Sequence, residues 1–387
     1  MIKRFFVKLM ILIGPFLLVG GLFAGYLTKS GELYFSYGQL ASCMALKTPC
    51  LEGFAHTNPV IPVKLMMLKE YRYDVIALGT SRTMAFRSAF FKKGSFYNCG
   101  GCISRVKNLR NFLSRLPRES YPRIILLGID QNFLNAKWDS SLGSDASYIA
   151  QLDKTFSLPD VAQKTILGLL EDMRKNKINV KNAGLVFAGG DFKRMGLTAF
   201  YKNDGYLNDG SYYYGSIMKD PLSPDLPDHN FKDTRDRISK GDRLFEYGQD
   251  INPFALDELG RFLEECEKNG IHVIGFIPPY AQAIYDELKS RPREYAYLAK
   301  IFPALFELFN RHGFLVMDFS DMQSFGAHPD EVIDGIHASE KAYLRILLKL
   351  MTKDNSLENY VRDVSYLEKR LMDADNPFMV FSIDEIN

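Results

Sequence analysis

The sequence predicts an α/β protein: a doubly wound, mainly parallel five-stranded sheet with helices layered on both faces, an N-terminal transmembrane helix and an inserted region. Three observations carry that expectation. Short apolar runs bounded by turn residues alternate with stretches of helical period along much of the chain. Each run is too short for a helix and is rich in Ile, Val, Leu or Phe, as strands covered on both faces are. The 387 residues, 47% hydrophobic and 24% charged, suffice to bury a sizeable core.

Residues 1–27 differ in kind from the rest. Lys3, Arg4 and Lys8 precede the uncharged run from Met10 to Leu27, which approaches the roughly 20 residues needed to cross a bilayer core. A positive flank ahead of such a run keeps the N-terminus in the cytoplasm and sends the downstream chain across the membrane. An uncleaved anchor is favoured, and cleavage after Leu22-Phe23-Ala24 is the alternative. Residues 28–71 form a connecting region that ends in a helix over Val60 to Glu70.

The α/β domain spans residues 72–352. Strands are expected at Asp74 to Gly79, Ser95 to Asn98, Arg123 to Ile129, Ile271 to Ile277 and Phe314 to Phe319. Helices are expected at Ile103 to Leu116, Leu256 to Lys268 and Ser339 to Leu350, the second stopped by Asn269-Gly270. Between about 132 and 250 the rhythm breaks. There a helix is expected from Leu158 to Lys175, then the stretch FYKNDGYLNDGSYYYG, whose two Asn-Asp-Gly triplets favour hairpin turns. A surface hairpin with edge aromatics is preferred there over a platform that stacks on sugars. Residues 353–387 read as a helix and a loosely attached tail.

A net charge of +2 without any long Lys/Arg cluster argues against a nucleic-acid partner. Of the five cysteines, Cys43 with Cys50 and Cys99 with Cys102 are spaced to close locally in an oxidising compartment. For the CGGC segment redox chemistry and zinc are alternatives, but no second Cys or His pair has ligand spacing, so neither a metal nor a cofactor is expected. Cys266, at helical spacing from Leu259, Phe262 and Leu263, reads as a packed thiol.

The first strand, DVIALGTSRT, ends by presenting Ser81. A serine at the carboxyl end of a parallel strand is a nucleophile only if a base reaches it and a third group orients that base. Of the six histidines, His337 stands out within FGAHPDEVIDGIHASEKAY, with Asp334 three residues before it across a glycine. A tight turn at that spacing brings the carboxylate to one imidazole nitrogen and leaves the other free for Ser81. His272, opening a strand, and His328, before a proline, are assigned structural or surface roles.

With a strand ahead of Gly-Thr-Ser-Arg and a helix behind Asp-x-x-His, residues from about Tyr73 to Leu350 resemble the SGNH, or GDSL-like, hydrolase superfamily. The anchor and the FYNCGG segment are most similar to membrane-anchored proteins of cell-surface polysaccharide O-acylation, of the alginate O-acetylation and teichoic-acid D-alanylation type. The resemblance implies a flavodoxin-like sheet, Ser81 as nucleophile, His337 as general base and Asp334 as its orienter. It implies an oxyanion hole built from the backbone N–H groups of Ser81 and Gly100. A third donor is usually an asparagine after the third strand, where this chain reads GIDQN with Asp130 in that place. An ionised carboxylate cannot donate, so Gln131 or Asn132 must supply an amide, or Arg82 must help electrostatically, or turnover is slow. The function implied is a serine esterase or O-acyltransferase on the extracytoplasmic face of a bacterial cytoplasmic membrane, supplied with acyl groups by a multispanning membrane-bound O-acyltransferase and acting on a surface polysaccharide. The alternative is a catalytically impaired glycan-binding or assembly component.

Overall fold

Nine strands form among the described residues: Cys50–Glu52 (β1), Val75–Gly79 (β2), Phe96–Gly100 (β3), Ile124–Gly128 (β4), Lys193–Met195 (β5), Asp204–Tyr206 (β6), Tyr212–Tyr214 (β7), His272–Ile277 (β8) and Leu315–Asp318 (β9). The computed structural model describes residues 2–139, 145–175, 184–188, 190–224, 226 and 228–385. The side chains of Lys3 and Arg4 lie outside the description.

Five strands make an all-parallel sheet in the order β3-β2-β4-β8-β9. Every residue of β2, β3 and β4 is buried, which is why these strands read as near-continuous apolar runs. The two-residue period sends Ile76, Leu78, Ile125, Leu127 and Val273 to one face, against Leu109, Phe112, Leu259, Phe262 and Leu305. These come from the helices Asn108–Leu113, Pro253–Lys268 and Leu298–Arg311. Val75, Ala77, Ile124, Leu126 and Phe276 turn to the opposite face, under the helices Glu340–Met351 and Val364–Asp373. Helices therefore cover both faces. Chain order reverses between β2 and β4, and at such a switch point a crevice opens beyond the carboxyl ends of the strands.

Local chemistry sets the element ends. The helix expected from Leu256 starts at Pro253, because Asn252 caps Phe254 N–H and proline suits the first helical position. Its stop, Gly270, has φ of +69°, a left-handed conformation that favours glycine. The helix expected over Ile103 to Leu116 shrinks to Asn108–Leu113. The N–H groups of Gly101 and Ile103 both turn back to the Gly79 carbonyl, and the Asn108 side chain holds Ser104, so this stretch stays a loop packed on the end of β2.

Two expected appendages are built into the fold instead. Residues 28–71 do not act as a linker: β1 pairs in parallel with β5 and antiparallel to β6 in a second sheet, ordered β5-β1-β6-β7, which joins them to the inserted region. The buried Glu32 carboxylate reinforces this by accepting from Ala55, His56 and Leu197 N–H groups at 2.8–3.1 Å. The predicted hairpin forms as β6 and β7, turned at Asn208-Asp209-Gly210, where Gly210 has φ of +78°. The C-terminal tail is held as well, because Glu340 Oε1 accepts from Val380 and Phe381 N–H groups and Phe381 is buried.

The N-terminal helix, Ile2–Ser30, contains a 20-residue stretch, Ile11–Ser30, with mean hydropathy 1.9, of which only Leu27 and Ser30 are buried. It is long and apolar enough to cross a membrane, and a signal sequence has the same composition. Its last turn docks on the folded domain through Leu27 and Ser30.

Cys43 and Cys50 form a disulfide, whereas Cys99 and Cys102 remain free, buried thiols on the edge strand and the loop after it, as does Cys266 in its helix. Breaking a bridge across a separation of seven residues removes about 2 kcal/mol of loop-closure stabilisation. Cys43→Ser/Cys50→Ser should therefore unfold at correspondingly lower denaturant concentration. Non-reducing peptide mapping of the unmodified chain should recover the 43–50 cross-link and no 99–102 cross-link, and the converse pattern would contradict this pairing.

Candidate active site

β2 ends at Gly79, where a Cβ would come within 2.6 Å of Thr83 Cγ2, so glycine leaves room for the Thr83 side chain to pack against the strand end. Thr80 then caps a single 3-10 turn, Ser81–Thr83, with its Oγ1 accepting from Arg82 N–H at 3.1 Å. Ser81 opens that turn, half-buried at the carboxyl edge of the sheet. Its N–H, the first of the turn, has no intramolecular acceptor among the described residues.

The opposite wall comes from the loop that follows β9. Asp334 Oδ1 accepts the Ile336 and His337 N–H groups, both at 2.8 Å, and its Oδ2 lies 2.7 Å from His337 Nδ1. The far nitrogen, Nε2, lies 2.8 Å from Ser81 Oγ. Between Asp334 and His337, a Cβ on Gly335 would stand 2.5 Å from Thr234 Oγ1, which accounts for the glycine inside the motif. Gly335 N–H donates to Asp228 of the inserted region at 3.0 Å. Burial would raise the Asp334 carboxyl, but the adjacent His337 and the two backbone donors outweigh it and hold the carboxyl below its usual range. The carboxylate stays ionised and can only accept, so Nδ1 carries the proton and Nε2 is the acceptor for the serine hydroxyl.

Three of the four expected oxyanion or substrate-binding groups are committed elsewhere. Gly100 N–H donates to Asn98 Oδ1 at 2.7 Å, so it is not a free donor. Arg82 is 4% exposed and four of its five N–H donors are engaged: Nε donates to the Ile336 carbonyl, Nη1 to Gln131 Oε1, and Nη2 to the Pro278 and Pro279 carbonyls. Its guanidinium also sits 4.6 Å from the centre of the Tyr280 ring. Arg82 is thus a clamp rather than an electrophile. Gln131 gives both amide protons away, to the Pro278 carbonyl and Ser320 Oγ, each at 2.9 Å. Only the Asn132 amide, in the turn Gln131–Leu134 just beyond β4, has no hydrogen-bond partner among the described residues.

Asp130 reaches back to the Ser81 turn, its Oδ2 accepting from Thr80 Oγ1 at 2.8 Å while Oδ1 is buried without a partner. Burial raises its carboxyl despite the opposing pull of Arg82. The residue braces the cap of the Ser81 turn. His272 pairs with Asp354 at 2.7 Å and His328 stands on an exposed loop.

Sequence reasoning overlooked the groups that carry the inserted hairpin to this edge. Buried Lys64 donates to the Gly100 and Gly210 carbonyls at 2.7 Å each, tying the hairpin turn to β3. Buried Arg87 reaches Ser211 Oγ and pairs with Glu340 at 3.1 Å. The tyrosine triplet after the second Asn-Asp-Gly was the available signal. Tyr206, Tyr212 and Tyr214 form a row with centroids 5.0 and 4.7 Å apart, and Tyr214 lies 6.3 Å from the His337 ring. At the far end of the row a cavity of about 230 Å³ is lined by Glu52, Phe54, Lys64, Tyr206 and Tyr212. Glu52 is 3% exposed, and its Oε1 is buried without a partner. Among the described residues one cluster has metal-ligand proximity, Cys43, Cys50 and Glu52, but two of its members are the disulfide, whose sulfurs are not thiolate ligands.

Two outcomes are expected from these placements. A lysine ammonium cannot reproduce the planar fork of Arg82. Arg82→Lys should keep the fold yet slow the reaction of Ser81 with a fluorophosphonate by about 10²-fold, the cost of a misplacement near 1 Å; an unchanged rate would show that the clamp does not position the serine. Burial holds the Glu52 carboxyl well above its ordinary range, so the folded state prefers it protonated. The stability from that preference is complete below the unfolded-state value and is lost as pH rises from there through the folded-state value. Glu52→Gln removes this titration, so its Tm should fall less than that of the parent over the same rise, and parallel curves would refute the assignment.

No protein-family model and no curated protein matches this chain.

Proposed function

We propose that this chain is a membrane-anchored, extracytoplasmic serine esterase or O-acyltransferase acting on a bacterial cell-surface glycan. The observation that carries the reading is the unbroken relay from Ser81 Oγ through His337 to Asp334, with links of 2.8 and 2.7 Å. Ser81 Oγ attacks an acyl carbonyl while His337 Nε2 takes its proton, and Asp334 stabilises the imidazolium that forms. The tetrahedral oxyanion is met by the Ser81 N–H and the Asn132 amide. Collapse expels the donor alcohol, which leaves with the proton from His337. Water or a sugar hydroxyl, deprotonated by the same nitrogen, then attacks the acyl-serine, and Ser81 recovers its proton.

A glycan acceptor is supported by the tyrosine row and the cavity at its end, since aromatic faces stack on sugar rings and the unpartnered Glu52 oxygen can meet a hydroxyl. An apolar N-terminal helix and a disulfide favour a place outside the cytoplasm. The partner this scheme calls for is a multispanning membrane-bound O-acyltransferase as acyl source. The second reading, a non-catalytic glycan-binding or assembly component, draws on Asp130 in the usual asparagine's place and on the engagement of Gly100 N–H.

Fluorophosphonate labelling followed by peptide mass spectrometry tests the reading. Label is expected on Ser81 in the parent and absent in Ser81→Ala. Hydrolysis of a chromogenic acetyl ester should fall at least about 10³-fold in Ser81→Ala, in His337→Ala and in the double variant alike, because nucleophile and base act as one unit. Asn132→Ala should cost about 10²-fold, the usual loss for one oxyanion donor. A folded parent protein that takes no label and hydrolyses no ester would favour the second reading.

A further inference from the structure

The helix Leu158–Arg174 is apolar on two sides. Its inner side buries Val161, Thr165 and Leu169. On the outer side Ile166, Leu167, Leu170 and Met173 are 48–60% exposed and, at spacings of one, four and seven, form one stripe. Phe187, 67% exposed, has its ring 6.0 Å from Tyr26 of the N-terminal helix, which packs against the cluster that Leu169 joins on the inner side. A contiguous apolar patch on a folded domain marks a surface that something covers.

The neighbouring elements show what lies at this level. Leu169, on the inner side of the same helix, clusters with Leu197 and with Leu27 in the last turn of the N-terminal helix. The apolar stretch Ile11–Ser30 has 20 residues and, at about 1.5 Å each, is about 30 Å long, one hydrocarbon thickness. Leu27 to Ser30 therefore stand at one boundary of the membrane that this helix crosses, and the residues packed around Leu27 stand there too. Charged groups border the stripe, Lys164 paired with Asp160, and Arg174 and Lys175 with Glu171, as they do on helices that lie flat in a bilayer interface.

We propose that the outer stripe of the Leu158–Arg174 helix, together with Phe187, lies in the headgroup and upper acyl layer of the membrane, so that the folded domain rests on lipid beside its own anchor. This rests on the reading of the N-terminal helix as a membrane span. Seating the domain on lipid leaves it little freedom to swing about the anchor and holds Ser81 at a set orientation to the surface, where an acyl donor delivered through the membrane would emerge.

The test uses the full chain reconstituted in phosphatidylethanolamine/phosphatidylglycerol vesicles. Leu167→Cys, Leu170→Cys and Phe187→Cys are each labelled with a polarity-sensitive fluorophore, with Asp257→Cys on the exposed face of the Pro253–Lys268 helix as the aqueous control. Cys99, Cys102 and Cys266 are buried and contribute little background. Lipid-borne nitroxide is expected to quench the three patch labels several-fold more than the control, and aqueous iodide to quench them several-fold less. Patch labels quenched by iodide as strongly as Asp257→Cys would overturn the proposal. Labels shielded from both quenchers would overturn it in favour of a protein partner or a second copy. A chain stripped from the vesicles by alkaline carbonate would fail the anchor reading itself, and the lipid seat with it, whereas a chain that resists stripping isolates the patch as the point under test.

Discussion

The candidate site depends on one buried cation. Arg82 comes directly after Ser81, and its Nε holds the carbonyl of Ile336, the residue directly before His337. A bond between residues 254 apart in sequence thus fixes the Ser81 turn against the His337 loop. Three more of its protons bind the loop after β8 and Gln131 beyond β4, so one guanidinium gathers the carboxyl ends of three neighbouring strands and the loop beyond a fourth. Its described hydrogen-bond partners are carbonyl groups and an amide oxygen rather than carboxylates. The charge is met by those dipoles, the Tyr280 ring and the nearby Asp130, each charge-assisted hydrogen bond contributing about 1.5–3 kcal/mol. Arginine suits this role because its donors diverge in one rigid plane.

A second buried arginine does for the inserted region what Arg82 does for the strand ends. Arg87 and Glu340 are both nearly inaccessible, and an ion pair so deep roughly breaks even against its desolvation. Its value is in what it connects. Arg87 reaches the hairpin through Ser211, which Asp209 also holds, and Glu340 grips the tail at Val380 and Phe381. Lys64 adds the tie from hairpin turn to β3. Tyr214 is thereby delivered to His337, and the insertion becomes one wall of the crevice.

Asp130 is put to a structural use. As a free acceptor it would oppose a developing oxyanion, but it faces Thr80, and burial disfavours its charged form. With Gly100 N–H also engaged, the Ser81 N–H and the Asn132 amide are the donors left without a described partner at this edge.

Short-range pattern made much of this molecule legible before any fold was known. All five strands of the parallel sheet could be read to within two residues of their ends, because strands covered on both faces must be apolar at nearly every position. The Asp334–His337 contact was legible because three residues and a glycine make a local turn, and the hairpin because Asn-Asp-Gly ends on a glycine, which takes the left-handed conformation at its turn. Which polar groups remain free was settled only in three dimensions. Arg82, Gln131 and Asn132 are alike in sequence as potential donors, and the difference between them is whether carbonyls from β8's loop and the His337 loop come within reach. The same holds for residues 28–71, whose strand β1 is three residues long and acquires a sheet only when the insertion folds beside it. Hydrogen-bond partners so distant along the chain leave no periodic trace in it, because the fold, not the spacing, brings them together.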